Sequence, residues 1–200
     1  VEPRKRPVQH RSRRTVARIL DAAAEVLAER GYTATTTNAV AERAGVSIGS
    51  LYQYLPNKEA LLVALAERHL DDAGARLGPH LAALADAELD AEALAEAFVD
   101  LAIDLNDDPA GLHHLLFTAA PRTPEVLERY GELVDVVVAE VARQLRRLGA
   151  GGPDPELRAR VLTHAVDAAV HEVVLARTGT GRRAARAEVV ALARAALGAP

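Results

Sequence analysis

The chain has 200 residues, half of them hydrophobic, with a mean hydropathy of +0.01 and a formal net charge of -4. This is the size of one ordinary domain, or one domain with a small appendage, and the apolar content suffices for a core, so global disorder is excluded. Cysteine is absent, which excludes disulfides, thiolate metal sites and a cysteine nucleophile. The longest uncharged apolar-leaning run, Pro109 to Pro121, is shorter than the roughly 18 residues that a membrane span requires. The basic N-terminus lacks the apolar stretch of a signal peptide, and a cytoplasmic protein is expected.

The small net charge hides an asymmetry. Residues 1–60 hold ten Lys/Arg against six Asp/Glu, whereas residues 61–200 hold fourteen against twenty-two. Such a split suits a chain with one part that meets a polyanion and another that does not, although patchy solvated helix faces produce the same arithmetic.

No segment alternates with period two, and helix punctuation recurs throughout. Ser12 is placed to cap a helix to about Arg30, with Val16, Ile19, Leu20, Ala23, Val26 and Leu27 at three- and four-residue spacing and Gly31 as its stop. Thr36 caps a short helix over 37–44, closed by Gly45. Ser47 caps another over about 48–54, ended by Leu55-Pro56. Asn57 opens a long helix from Lys58, which the Gly78-Pro79 pair is expected to break near Leu77. Asp90 precedes a helix to about Asn106. Asp108-Pro109, Thr123-Pro124 and Asp154-Pro155 each couple a capping side chain to proline at the first helical position, opening helices of about 109–119, 124–148 and 155–177. Gly149 and Gly179 read as stops, and a final helix covers about 182–197. The fold class is therefore all-α, with about nine helices.

Residues 36–54 are the most informative stretch. Two short helices joined by a tight Gly45-Val46-Ser47 turn have the geometry of a helix-turn-helix, whose second helix enters the DNA major groove. Leu51 is the one strongly apolar inward residue of that second helix. Gly49 within it costs about 1 kcal/mol against alanine, a cost explained either by close approach of backbone to DNA or by tight helix packing. Gln53 can pair with adenine and Ser50 can address several base edges. Thr37, Tyr52, Tyr54 and Lys58 suit phosphates, as do backbone amides at the helix starts. With Thr36, Asn38, Ser47 and Ile48 these form the expected DNA-binding set. Arg4, Lys5, Arg6, Arg11, Arg13 and Arg14 make a basic arm for further phosphate or minor-groove contacts.

The run from Ala17 to Leu65 closely resembles the N-terminal domain of TetR-family transcriptional regulators. The resemblance rests on Ile19-Leu20-Asp21-Ala22-Ala23, Glu29-Arg30-Gly31-Tyr32, Thr35-Thr36-Thr37, Ala44-Gly45-Val46-Ser47, Gly49-Ser50-Leu51-Tyr52 and Asn57-Lys58-Glu59-Ala60-Leu61-Leu62. Leu55 stands where phenylalanine is usual and fills the same apolar slot. The resemblance implies a basic arm over 1–11, a DNA-binding domain over 12–56 and an effector-binding and dimerisation domain over 57–200. It implies a homodimer through the last two helices, an operator that is an inverted repeat in double-stranded DNA, and a small-molecule effector that releases a repressor from it. The half-sites of such a dimer lie about 34–36 Å apart or a multiple of that, so re-spacing the recognition helices breaks register.

The effector region has few aromatic residues, which disfavours a pocket for flat cationic drugs and suits an aliphatic or small polar effector. Phe98, Leu101, His114, Phe117, Tyr130, Val134, His164, Asp167 and His171 are its candidate residues. Arg160, His164, Asp167 and His171 recur at spacings of four, three and four on one helix stripe, open to either an effector or a dimer contact. His164 and His171 are two turns apart, about 10.5 Å, too far to share a metal ion directly, and no metal or cofactor is expected. Asp135 aligns with charged residues and reads as surface. An all-α enzyme would need a nucleophile–base pair or carboxylate cluster that scattered acids do not supply. A non-specific architectural DNA binder fits poorly with the acidic remainder of the chain.

Overall fold

The computed structural model describes residues 6–107 and 112–197. It contains α1 (Arg6–Ala34), α2 (Thr37–Ala44), α3 (Ile48–Tyr54), α4 (Lys58–Asp86), α5 (Ala91–Asn106), α6 (Leu112–Ala119), α7 (Pro124–Arg147), α8 (Pro155–Ala169) and α9 (Gly179–Ala196). A single π-helical turn, Val170–Val174, continues α8. Among the described residues there is no strand.

The chain forms two compact units, each with its own core. Among the described residues, one comprises 6–69 and 112–126, the other 70–107 and 127–197. In the first, Ile19, Ala23, Val26 and Leu27 of α1 bury with Val40 of α2, Leu51 of α3 and Leu61, Leu62 and Leu65 of α4. In the second, Leu94, Phe98 and Val99 of α5 pack with Val138, Val141 and Leu145 of α7, Val166 of α8 and Val189 and Ala193 of α9. These are the three- and four-residue spacings expected of helices with one apolar face.

The helix boundaries differ from those expected of the sequence in three places. First, α1 starts at Arg6 rather than after Ser12. Its regular part still ends at Gly31, where φ is 70° and ψ is 174°, and the Thr35 hydroxyl donates to the Gly31 carbonyl at 2.7 Å.

Second, α4 does not break at Gly78-Pro79 but continues to Asp86 with Pro79 inside it. An internal proline costs about 3 kcal/mol. Around it Leu77 is buried, and Leu81 and Leu84 pack against the second core. Gln144 donates to the Leu84 carbonyl at 2.8 Å and Arg143 to the Ala85 carbonyl at 3.3 Å, so polar groups of α7 serve the end of α4. Burial and these bonds offset the proline.

Third, α8 proper ends at Ala169, and the π turn replaces its expected extension to 177. Gly179, with φ of 56°, sits at the junction to α9, which begins there rather than at 182.

Antiparallel α5 and α9 are laced by three ion pairs. Glu92 meets Arg194 at 3.1 Å, Asp100 meets Arg186 at 2.6 Å and Asp107 meets Arg182 at 2.5 Å. Ascending positions on α5 and its C-terminal cap Asp107 meet descending positions on α9. No helix among the described residues is long and apolar enough to cross a membrane.

Candidate nucleic-acid interface

The α2–turn–α3 segment is built by its own caps. The Thr36 side chain accepts from the Ala39 amide at 3.2 Å, and the Ser47 hydroxyl accepts from the Ser50 amide at 3.1 Å. Each supplies one of the amide partners that a helix start lacks. Gly45 closes α2 in the left-handed region with φ of 61°, and the Val46 amide reaches back to the Ala41 carbonyl at 3.0 Å. That six-to-one bond is the mark of a helix ended by a left-handed residue, the conformation glycine adopts at least cost.

The segment is clamped to α1 by two arginines that the sequence reading does not single out. Arg18 donates to the carbonyls of Ala44 and Gly45, at 2.5 and 3.3 Å. Arg43 bonds Glu25 at 2.9 Å and Glu29 at 2.7 Å. The Arg43 guanidinium holds the Glu29 carboxyl below the usual carboxylate range, and the two glutamates raise Arg43 in turn. Glu25 and Glu29 lie four apart on α1 opposite the one basic residue in the last turn of α2. That spacing is the signal the sequence carries for the clamp.

With the inner side fixed by Leu51, the outer side of α3 is open. Ile48, Gly49, Tyr52, Gln53 and Tyr54 are exposed, as are Thr36, Asn38 and Ser47, while Thr37, Ser50 and Lys58 are half-buried. The Tyr52 hydroxyl pairs with the Thr37 hydroxyl at 3.0 Å, tying α3 to the start of α2. The Ser50 hydroxyl lies 2.8 Å from that of Ser47. A Cβ built on Gly49 would meet nothing nearer than the Ser47 hydroxyl at 4.0 Å. Tight helix packing within the chain therefore does not account for this glycine.

Lys58 is engaged on one side. Its ammonium donates to the Tyr32 carbonyl and lies 3.9 Å from the centroid of the Tyr32 ring. Burial pushes its pKa down from the ordinary 10.5. An ammonium carries three donors, so others remain for an oxygen anion. Arg13 and Arg14 are exposed on α1. Arg4 and Lys5, and the side chains of Arg6 and Arg11, lie outside the described residues.

The expected effector residues are not all brought together. Phe98 and Leu101 are buried and line a narrow apolar cleft with room for little more than a water molecule, with Leu81, Leu84, Val137 and Val141 along its walls. Val134 is half-buried against the same core. The expected polar stripe of α8 divides. Arg160 and His164 are exposed, and Arg160 pairs with exposed Asp135 at 2.9 Å. Asp167 and His171 turn inward, with His171 buried on the π turn and its Nε2 3.4 Å from Asp167. The Tyr130 hydroxyl donates to Asp167 at 3.0 Å, and the Asn106 amide reaches it at 3.4 Å. The side chains of His114 and Phe117, and the helix start at Pro109, lie outside the described residues. No group of three or more His, Asp or Glu among the described residues is placed to hold a metal ion.

Comparison with known proteins agrees with this architecture. Residues 19–65 match the bacterial regulatory proteins of the tetR family, and residues 90–197 match the tetracyclin repressor-like C-terminal domain. An uncharacterized HTH-type transcriptional regulator of Bacillus subtilis, YvkB, is 43% identical over 65 residues, 32% of this chain and 34% of the relative. The HTH-type transcriptional repressor KstR of Mycolicibacterium smegmatis is 44% identical over 59 residues, 30% of this chain and 29% of the relative. The chain thus matches about a third of the length of these curated relatives. A TetR-family transcriptional regulator of Streptomyces coelicolor, known from its crystal structure, superposes with a TM-score of 0.59 at 29% identity, over 92% of this chain and 98% of that one.

Proposed function

This chain belongs to the TetR family of bacterial transcriptional regulators, whose members are not enzymes, and from that premise we propose that it is a ligand-responsive repressor of a palindromic operator. The observation that carries the reading is the outer face of α3. Ile48, Gly49, Tyr52 and Gln53 stand exposed around a single buried Leu51, with open space over Gly49. Missing side-chain volume there admits the backbone close to a groove wall. Gln53 is the base reader, Ser50 a second polar contact, and Thr36, Thr37, Asn38, Ser47, Tyr52, Tyr54 and Lys58 address phosphates.

Dimerisation is assigned to α8 and α9. Leu157 and Val161 lie one turn apart on α8 with 59% and 61% exposure, and Leu192 on α9 has 54%. Exposed aliphatic side chains of this size on the last two helices suit burial against the same helices of a second copy.

Selection from a random duplex pool at near-physiological salt tests the reading. The expected product is an inverted repeat bound about a thousandfold or more above scrambled DNA. Gln53→Ala is expected to change base preference. Lys58→Ala is expected to weaken binding on all sequences and make the salt dependence shallower. Recovery of no motif, with binding that vanishes steeply with salt, would overturn the assignment.

A further inference from the structure

We propose that the polar cluster around Asp167 receives the hydroxyl group of a neutral aliphatic ligand. This rests on the effector-responsive reading above and names the chemistry of that effector. The first observation is Thr163. The residue is 7% exposed, and its Oγ1 is buried with no hydrogen-bond partner among the described residues. Packing alone does not call for it, since valine has nearly the same shape without a hydroxyl to desolvate. Buried polar atoms in folded chains are nearly always paired, and an exception points to a missing partner.

The second observation is what surrounds it along the helix. Asp167 follows Thr163 by one turn of α8, and His171 follows by one more on the π turn. Asn106 of α5 and Tyr130 of α7 converge on the same carboxylate from two other helices. The Asn106 amide nitrogen is also committed to the Ala102 carbonyl at 2.8 Å, which leaves its side-chain oxygen as an acceptor. The cluster therefore sets carboxylate and amide acceptors one turn along α8 from a buried hydroxyl able to donate or accept.

A ligand hydroxyl is the group that can give a proton to one partner and take one from another. A carboxylate or phosphate would face the Asp167 carboxylate in a part of the chain that is already acidic. An ammonium would satisfy the acceptors but would lose the hydration of a full charge beside Val166 and Val170, which are fully buried on either side of Asp167. The hydroxyl's carrier is then aliphatic, because the surrounding core offers aliphatic side chains.

The test uses the full chain with three eight-carbon probes, 1-octanol, octylamine and octanoate, read by thermal unfolding. Octanol is expected to raise the midpoint in a saturable way, octylamine less, and octanoate not at all. T163V removes an unpaired hydroxyl, so its ligand-free midpoint should equal or exceed the parent's, while its apparent affinity for octanol falls about tenfold, the loss of one hydrogen bond. D167N should lose most of the discrimination against octanoate. An octanoate or octylamine shift as large as that of octanol would overturn the proposal. So would no octanol shift at its solubility limit, or an unchanged octanol response in T163V. Operator binding is measured separately on the unliganded chain. Its absence beside an intact octanol shift would defeat the regulator reading alone, and its presence without that shift would defeat this inference alone.

Discussion

The guanidinium of Arg18 on α1 donates to the carbonyl of Ala44 at the end of α2, at 2.5 Å across 26 residues of sequence. It reaches the Gly45 carbonyl as well, at 3.3 Å. Carbonyls in the last turn of a helix lack intrahelical partners, and a cation there also favours the helix dipole. The same contact fixes the turn from which α3 projects. Arg18→Ala is therefore expected to lower stability by about 1 kcal/mol and to weaken binding on specific and scrambled DNA alike. Chemical denaturation and titration against both duplexes check this. An unchanged midpoint together with unchanged affinity would show that the clamp contributes nothing.

Gly49→Ala separates the needs of the fold from those of DNA binding. Space is open around the missing Cβ, and the residue does not adopt a left-handed conformation. Alanine in a helix interior is favoured over glycine by about 1 kcal/mol, so the variant should be more stable by up to that amount. If the α3 backbone lies against a groove wall, the added methyl should weaken operator binding at the same time. A variant that gained stability and bound DNA normally would show that the glycine serves no close approach to a groove wall.

Much of this architecture is legible from local grammar. Thr36, Gly45 and Ser47 announce α2 and α3 because caps and left-handed stops act within a few residues, and the structure contains the bonds those residue types predict. The exposed set on α3 follows from Leu51 being its single apolar position. Pro79 misleads because its local penalty takes no account of the α7 side chains that serve the end of α4, some sixty residues away in sequence. The stripe of α8 reads as one unit because helical spacing shows which residues share a face. It does not show where that face crosses from solvent to core, and the crossing falls between His164 and Asp167. Asn106 and Arg18 carry no pattern of their own, since their partners come from distant segments.

The Asp100–Arg186 pair is the best placed of the three between α5 and α9, with two hydrogen bonds at 2.6 and 2.7 Å. The Asp100 carboxylate raises the Arg186 pKa above its ordinary value. Both side chains keep substantial solvent access, 33% for Arg186 and 47% for Asp100, so screening limits the gain. A double-mutant cycle with Asp100→Asn and Arg186→Gln is expected to give a coupling of about 0.5–1 kcal/mol at low salt, shrinking as salt is raised. A coupling that ignored salt would mean that geometry rather than charge holds the helices at this point.

Glu140 on α7 offers a test through pH. Burial pushes its carboxyl up, but hydrogen bonds from Arg143, at 2.7 and 2.8 Å, and from Gln144, at 2.9 Å, hold it on balance below the ordinary 4.5. A carboxyl depressed in the folded state binds its proton more readily when unfolded. Its contribution is thus fully present above about pH 4.5 and is lost as pH falls through the lower folded value. Glu140→Gln keeps the shape and one acceptor but removes the charge. At pH 7 the variant should be less stable by about 1 kcal/mol, and the gap to the parent should close progressively below pH 4.5. Urea unfolding at a series of pH values measures that gap directly. A gap of constant size down to about pH 3 would assign the effect to hydrogen-bond geometry, and the carboxylate charge would then have no part in holding α7 against the end of α4.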